Sequence, residues 1–185
     1  MRDVTLILDA VGKGQAGAMD ELLSLVYDEL RRLASHKMAG LAAGQTLQPT
    51  ALVHEAWLRL AGREEPKFED RRHFFAAAAE AMRHILIDNA RKKATQRRGE
   101  GQRPTDLDQV DVASPSASPQ LLDLNDALNK LAMERPLEAE VVKLRFFVGT
   151  TIEEAAEILG ISPRTAKNYW AHAKAWLYQE ITAGG

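Results

Sequence analysis

Apolar residues recur at three- and four-residue spacing along most of this chain, the periodicity of helices that bury one side. Between residues 18 and 38, Leu22, Val26, Leu30 and Leu33 make one stripe with Leu23 and Tyr27 beside it, predicting a strong helix that Gly40 to Gly44 breaks. A helix is predicted from Gln48 to Leu60, with Thr50 as its cap and Val53, Ala56, Trp57 and Leu60 inward. A charged loop with Pro66 follows, and a longer helix then runs from His73 to Lys93 on a stripe of Phe75, Ala78, Met82, Ile85 and Leu86. Its Ala76–Ala79 run has high helix propensity and lets a neighbour pack close. Gly99 to Ser118 holds Pro104, Pro115 and several Ser and Gly without sustained periodicity, and reads as a linker. Periodicity resumes from Ser118-Pro119 with Leu121, Leu124, Leu128 and Leu131, then with Leu137, Val141, Leu144 and Val148. No convincing strand appears. The predicted fold is all-α, with two small helical domains at residues 1–98 and 119–185 joined by a flexible linker at 99–118.

The first residues admit two readings. VTLILDAV (4–11) leads into Gly12-Lys13-Gly14-Gln15-Ala16-Gly17, which matches G-x-G-x-x-G. As a strand and turn this would resemble a dinucleotide-binding unit. No second β-rich run follows, however, and no acidic residue stands between Leu41 and Pro49 to hold a ribose. The other reading is a short amphipathic helix (Val4, Leu8, Val11) followed by a flexible loop.

The stretch TTIEEAAEILGISPRTAKNYWAHAKAWLY (150–178) carries the densest local grammar. Thr150 and Thr151 each have a glutamate three residues on (Glu153, Glu154), the signature of a capping box. Gly160 ends the first helix, and Ser162 caps a second with Pro163 at its first position. Two helices joined by a tight Gly-containing turn form a helix-turn-helix. Ala166, Trp170, Ala173 and Leu177 are the buried stripe of the second helix. The opposite face carries Arg164 and Asn168, flanked by Thr165, Lys167, His172 and Lys174, with Ala171 and Ala175 small enough for close approach. Arg and Asn near a helix N-terminus can pair bidentately with guanine and adenine in the major groove. An ordinary helical hairpin with a solvated face is the competing reading, and the cap–turn–cap order argues against it.

Net charge is −2, which alone does not suggest a nucleic-acid partner, but its distribution does. From Arg83 to Arg103 seven basic residues (Arg83, Arg91, Lys92, Lys93, Arg97, Arg98, Arg103) stand against Asp88 and Glu100. From Pro104 to Asn129 there are five aspartates and no Lys or Arg. The chain has no cysteine, which excludes disulfides, thiolate metal sites and cysteine nucleophiles. His54-Glu55 begins like H-E-x-x-H, but Leu58 occupies the place of the second ligand, and the other histidines are scattered, so no metal site is expected. No run approaches the ~18 apolar residues of a membrane span and no signal peptide is visible, so a cytoplasmic location follows by default. No convergent acid–base or nucleophile set points to an enzyme, and no cofactor is implied.

This combination resembles bacterial RNA polymerase sigma factors, in the small, extracytoplasmic-function-like (ECF-like) branch of the sigma-70 superfamily. The likeness covers nearly the whole chain. ALNKLAMERPLEAEVVKLRFFVGTTIEEAAEILGISPRTAKNYWAHAKAWL resembles the domain that binds the promoter −35 element. LLSLVYDELRRLA, TALVHEAWLRL and HFFAAAAEAMRHILIDNARKK resemble the helices of the core-binding and −10-binding domain. The resemblance implies that Leu52, Val53, Glu55, Trp57, Leu58 and Arg59 meet the β′ clamp of core polymerase. It places Arg83, His84, Asp88, Arg91 and Lys92 near −10 DNA, with Phe68 and His73 beside an extruded base. It gives the −35 duplex to Arg164, Thr165, Lys167, Asn168 and His172.

The sequence departs from the family pattern twice. Gln48, Pro49 and Thr50 stand where an acidic cluster usually opens the docking helix, and Ala77 and Ala79 stand where many relatives carry aromatics. The implied partners are core RNA polymerase and promoter DNA, and a hydrophobic docking helix also invites an anti-sigma protein. The alternatives are a helix-turn-helix regulator that binds DNA as a dimer without polymerase, and a nucleotide-dependent enzyme using the GKGQAG loop.

Overall fold

The computed structural model describes residues 2–22, 24–27, 30, 49–62, 68–96 and 117–183, which are helical apart from short turns, with no strand among them. The opening segment is the helix of the two readings: α1 (Arg2–Gly12) buries Ile7 and Leu8 and exposes Leu6. Gly14, at φ 68°, closes it. Its N–H donates to the Val11 carbonyl at 3.0 Å, and that of Gln15 to the Ala10 carbonyl at 3.1 Å. This bond pair is a Schellman ending, which needs a left-handed residue. The G-x-G-x-x-G match is therefore a helix-to-helix turn and not a phosphate loop after a strand.

Helical residues 18–22 and 24–27 (α2) follow, with Ala18, Leu22, Val26 and Leu30 buried. Leu33 and the break at Gly40 to Gly44 lie outside the described residues. α3 (Pro49–Ala61) starts one residue before its expected cap, so Thr50 sits inside the first turn and is not the cap. Pro49 at the first helical position loses nothing, because that N–H has no intrahelical partner in any case.

α4 (Arg71–Gln96) starts two residues earlier than the apolar stripe suggested. Asp70 sets the boundary, since its Oδ1 accepts from the His73 N–H at 2.7 Å and caps the helix. The expected stripe of Phe75, Ala78, Met82, Ile85 and Leu86 is buried, but so are Phe74, Ala79, Ala81, Ile87 and Ala90. The reason is that α4 is covered on two sides. α1 and α3 pack against one, while later helices pack against the other.

The C-terminal half comprises α5 (Ala117–Glu134), α6 (Pro136–Lys143), a π-helical turn (Leu144–Val148), α7 (Ile152–Leu159) and α8 (Pro163–Ala183). The apolar spacing predicts a helix over 137–148. The structure instead widens the last turn, so that Phe146 and Phe147 both enter the core with edge-to-face rings 5.0 Å apart. Gly149, at φ 90°, then ends the turn. α5, α6, α7 and α8 pack on one another. α4 packs against α5, α6, the π turn and α7, so one continuous core draws side chains from both halves of the chain. Residues 97–116, nearly all of the expected linker, lie outside the described residues.

Candidate nucleic-acid and polymerase interfaces

The helix-turn-helix is assembled from backbone groups that helices leave unpaired at their ends. Thr151 Oγ1 accepts from the Glu154 N–H at 3.1 Å, and the Thr151 N–H donates to Glu154 Oε2 at 2.8 Å. Of the two threonines that fit the pattern, Thr151 is thus the cap, whereas Thr150 is buried. Gly160 at φ 66° ends α7, with the Ile161 N–H donating to the Ala156 carbonyl at 3.0 Å. Ser162 Oγ then accepts from the Thr165 N–H at 3.0 Å and starts α8. Thr151→Ala is expected to lose about 1 kcal/mol through the broken box. A chemical-denaturation midpoint equal to that of the native chain would contradict this assignment.

On α8, Ala166, Ala173 and Leu177 are buried and Trp170 is half-buried. The Arg145 guanidinium lies 4.8 Å from the Trp170 ring centroid and the Lys174 ammonium 5.7 Å, so the indole is flanked by cations. Arg164, Lys167, Asn168, Ala171, His172 and Ala175 are exposed. Two expected reading residues have structural ties. The Thr165 hydroxyl lies 2.8 Å from that of the cap Ser162, and His172 Nδ1 lies 2.7 Å from Glu138 Oε2. Glu138 is buried in the first turn of α6, with Arg135 Nη1 3.2 Å from its other oxygen. A carboxylate at Nδ1 fixes the ring and leaves Nε2 for a ligand. Sequence reasoning missed Glu138 because nothing local connects it to a histidine 34 positions away.

The basic helix α4 divides its expected residues. His73, His84, Arg91 and Lys92 are exposed, and Asp88 is half-buried. His84, Asp88 and Arg91 follow spacings of four and three and share one side of the helix. Asp88 lies 3.5 Å from Arg59 on α3 and 4.0 Å from Arg91. Arg83 and Phe68 are inside. Phe68 packs edge-to-face on Phe74 at 5.2 Å and against His73 at 5.9 Å. Arg83 is only 6% exposed, and its Nη2 donates to Asn129 Oδ1 of α5 at 2.7 Å.

Beside Arg83, Glu80 takes Lys143 Nζ of α6 at 2.9 Å, with Arg83 Nε at 3.5 Å and His84 Nε2 at 3.4 Å. Burial alone would push this carboxyl up. The hydrogen bond and charge of Lys143, aided by Arg83 and His84, outweigh burial and hold it below its ordinary value of 4.5. A lowered folded pKa contributes stability that is complete above the unfolded value and disappears as pH falls through the folded one. Glu80→Gln is therefore expected to flatten the acid side of the stability profile below about pH 4.5. Denaturation midpoints measured against pH would show it, and parallel acid limbs for the two proteins would contradict it.

On α3, Leu52, Val53 and Trp57 point into the core, whereas Leu58 is 56% exposed. Arg59 pairs with Glu55 at 3.2 Å, and both are partly open to solvent. Leu58, Glu55 and Arg59 thus form the accessible part of the expected docking set. No group of three or more His, Cys, Asp or Glu among the described residues is placed to hold a metal, and no helix among them is long and apolar enough to cross a membrane.

A helix-turn-helix displaying arginine, lysine and asparagine, attached to a second helical unit with a basic helix, defines a DNA-binding protein of transcription. The chain belongs to the ECF sigma factor family, whose model matches residues 1–183. It is a transcription initiation factor of the kind that binds core RNA polymerase and promoter DNA. Comparison with curated proteins finds no match, and comparison with solved structures finds none either.

Proposed function

We propose that the chain directs core polymerase to particular promoters through a division of labour among three helices. α8 enters the −35 major groove with Arg164, Lys167 and Asn168, and with His172 held by Glu138. α4 takes the opened −10 strand along the side bearing His84, Asp88 and Arg91, with Lys92 and His73 near it and with Arg83 and Phe68 once they are accessible. α3 docks on the β′ clamp through Leu58, Glu55 and Arg59, supported from beneath by Leu52, Val53 and Trp57.

The observation that carries this reading is the doubly capped helix-turn-helix. It fixes α8 by its buried Ala166–Ala173–Leu177 side and leaves Arg164, Lys167 and Asn168 exposed. Polymerase makes the phosphodiester bonds, so the chain needs no catalytic group of its own. Its place of action would be the cytoplasm, where polymerase meets the chromosome. An anti-sigma protein covering the exposed part of α3 would block docking.

The purified chain should co-elute with core polymerase in gel filtration and start discrete transcripts from a subset of a promoter library. A chain that stays separate from core enzyme and instead binds a two-fold DNA site as a dimer would favour the regulator reading. The family match gives that reading no support.

A further inference from the structure

Glu138 is a buried carboxylate with more partners than its own helix requires. It stands in the first turn of α6, where a negative charge suits the helix N-terminus, and Arg135 Nη1 lies 3.2 Å from its Oε1. Oε2 is turned the other way, across to α8, and lies 2.7 Å from His172 Nδ1. The Glu138 side chain is 10% exposed and that of His172 48%. One edge of the imidazole is therefore anchored inside the protein while the other is open. An ionised carboxylate only accepts hydrogen bonds, so the proton of the neutral ring belongs on Nδ1. Nε2, on the other side of the ring, is left a bare acceptor. His172 continues, at spacings of four, the exposed series of Arg164 and Asn168, with the small exposed Ala171 and Ala175 leaving room around it.

We propose that Glu138 is a specificity-determining positioning residue: by holding the Nδ1 proton it makes His172 Nε2 an acceptor, which selects an amino-bearing base, adenine or cytosine, at one −35 position. This role rests on the reading that α8 enters the −35 major groove. There the exocyclic amines of adenine N6 and cytosine N4 are donors, whereas guanine O6 and N7 and thymine O4 accept. The opposite tautomer would put a hydrogen on Nε2 and choose guanine or thymine on the same strand instead. A histidine without an anchor could turn over or move its proton, and would hold to neither class. The base class is thus set from 34 positions away by a side chain that itself stays off the DNA.

Arg135 dictates what one isosteric change would do. A guanidinium can only donate, so in Glu138→Gln the amide oxygen stays opposite Arg135 and the NH2 takes the place of Oε2. That NH2 donates to Nδ1, and the ring proton moves to Nε2. The substitution should therefore invert the base preference, where a merely structural role would only weaken binding.

Long-range nitrogen–proton correlation spectra at about pH 8, where an imidazole is ordinarily neutral, report which ring nitrogen carries the proton. His172 should be protonated on Nδ1 in the native chain and on Nε2 in Glu138→Gln, with the other histidine signals unchanged. Run-off transcription by the polymerase holoenzyme at the same pH, from templates varied at each −35 position, reads the consequence. The native chain should prefer adenine or cytosine at one position about three- to tenfold, the yield of a single hydrogen bond. Glu138→Gln should prefer guanine or thymine there, and His172→Ala should show no preference. A native ring protonated on Nε2, or one tautomer shared by both proteins, would overturn the anchoring. A tautomer that switches without moving the base preference would overturn the specificity role while Arg164→Ala still altered selectivity. If Arg164→Ala altered nothing either, the −35 reading of α8 would itself have failed.

Discussion

Phe74→Ala is expected to destabilise the protein by about 3–5 kcal/mol, a large part of the ~5–15 kcal/mol that holds a domain folded. Phe74 is completely buried, and its ring sits edge-to-face between Phe68 at 5.2 Å and Phe75 at 5.4 Å. Removing it forfeits the transfer of an aromatic ring from water and two aromatic pairings, and leaves a cavity in the wall of α4 that helices on both sides press upon. Backbone capped at Asp70 cannot shift far to refill that space. The damage should spread, because the core is continuous from Trp57 on α3 to the helices around Trp170. Urea unfolding followed by tryptophan fluorescence and by far-ultraviolet circular dichroism should show the midpoint falling in both signals together. A midpoint within experimental error of the native one would mean that Phe74 does not fill the position described.

Most of the helices were legible in the sequence because their signals are local. The capping box at Thr151, the glycine at 160 and the serine at 162 lie within twelve residues, and each satisfies a backbone group of its own helix. Periodicity likewise gave the sides of α2, α3, α5 and α8. What it could not give is the identity of the neighbour. The stripe on α4 said that one side is buried, but the second covered side, with Ala79, Arg83 and Ala90, looks in sequence like the small or charged residues of an open surface. The π turn was equally invisible, because an added residue in a helical turn has no signature of its own when Leu144, Phe146, Phe147 and Val148 are all apolar.

The same limit explains how the candidate sites came out. Arg164, Lys167 and Asn168 were identified from one helix and are exposed on it. His172 depends on Glu138, and Arg83 depends on Asn129, partners 34 and 46 positions distant that only tertiary packing brings near. On α3, the spacing that marks Leu52, Val53 and Trp57 as apolar does not say whether a docking partner or the chain's own core takes them. Their burial assigns them to the core, with Leu58 left on the surface.

Arg164→Ala is expected to cost about 1–3 kcal/mol at one position of the −35 element, roughly a fivefold to hundredfold loss in promoter use. Arg164 is the second residue of α8, just after the Ser162 cap, where a helix entering the major groove meets base edges first. Its loss should relax selectivity at that position alone, since Asn168, one turn further on, would meet a different base. Lys167→Ala should behave otherwise. A lysine engages phosphate as a point charge, so affinity would fall for all promoters alike and the salt slope would decrease by about one. Glu138→Gln provides the third comparison, because it keeps the shape of the pocket but leaves the His172 ring without its carboxylate. Run-off transcription from a library with each −35 position randomised separates the Arg164 and Lys167 patterns. A uniform loss for Arg164→Ala, or selectivity unchanged by it, would show that another face of α8 meets the DNA.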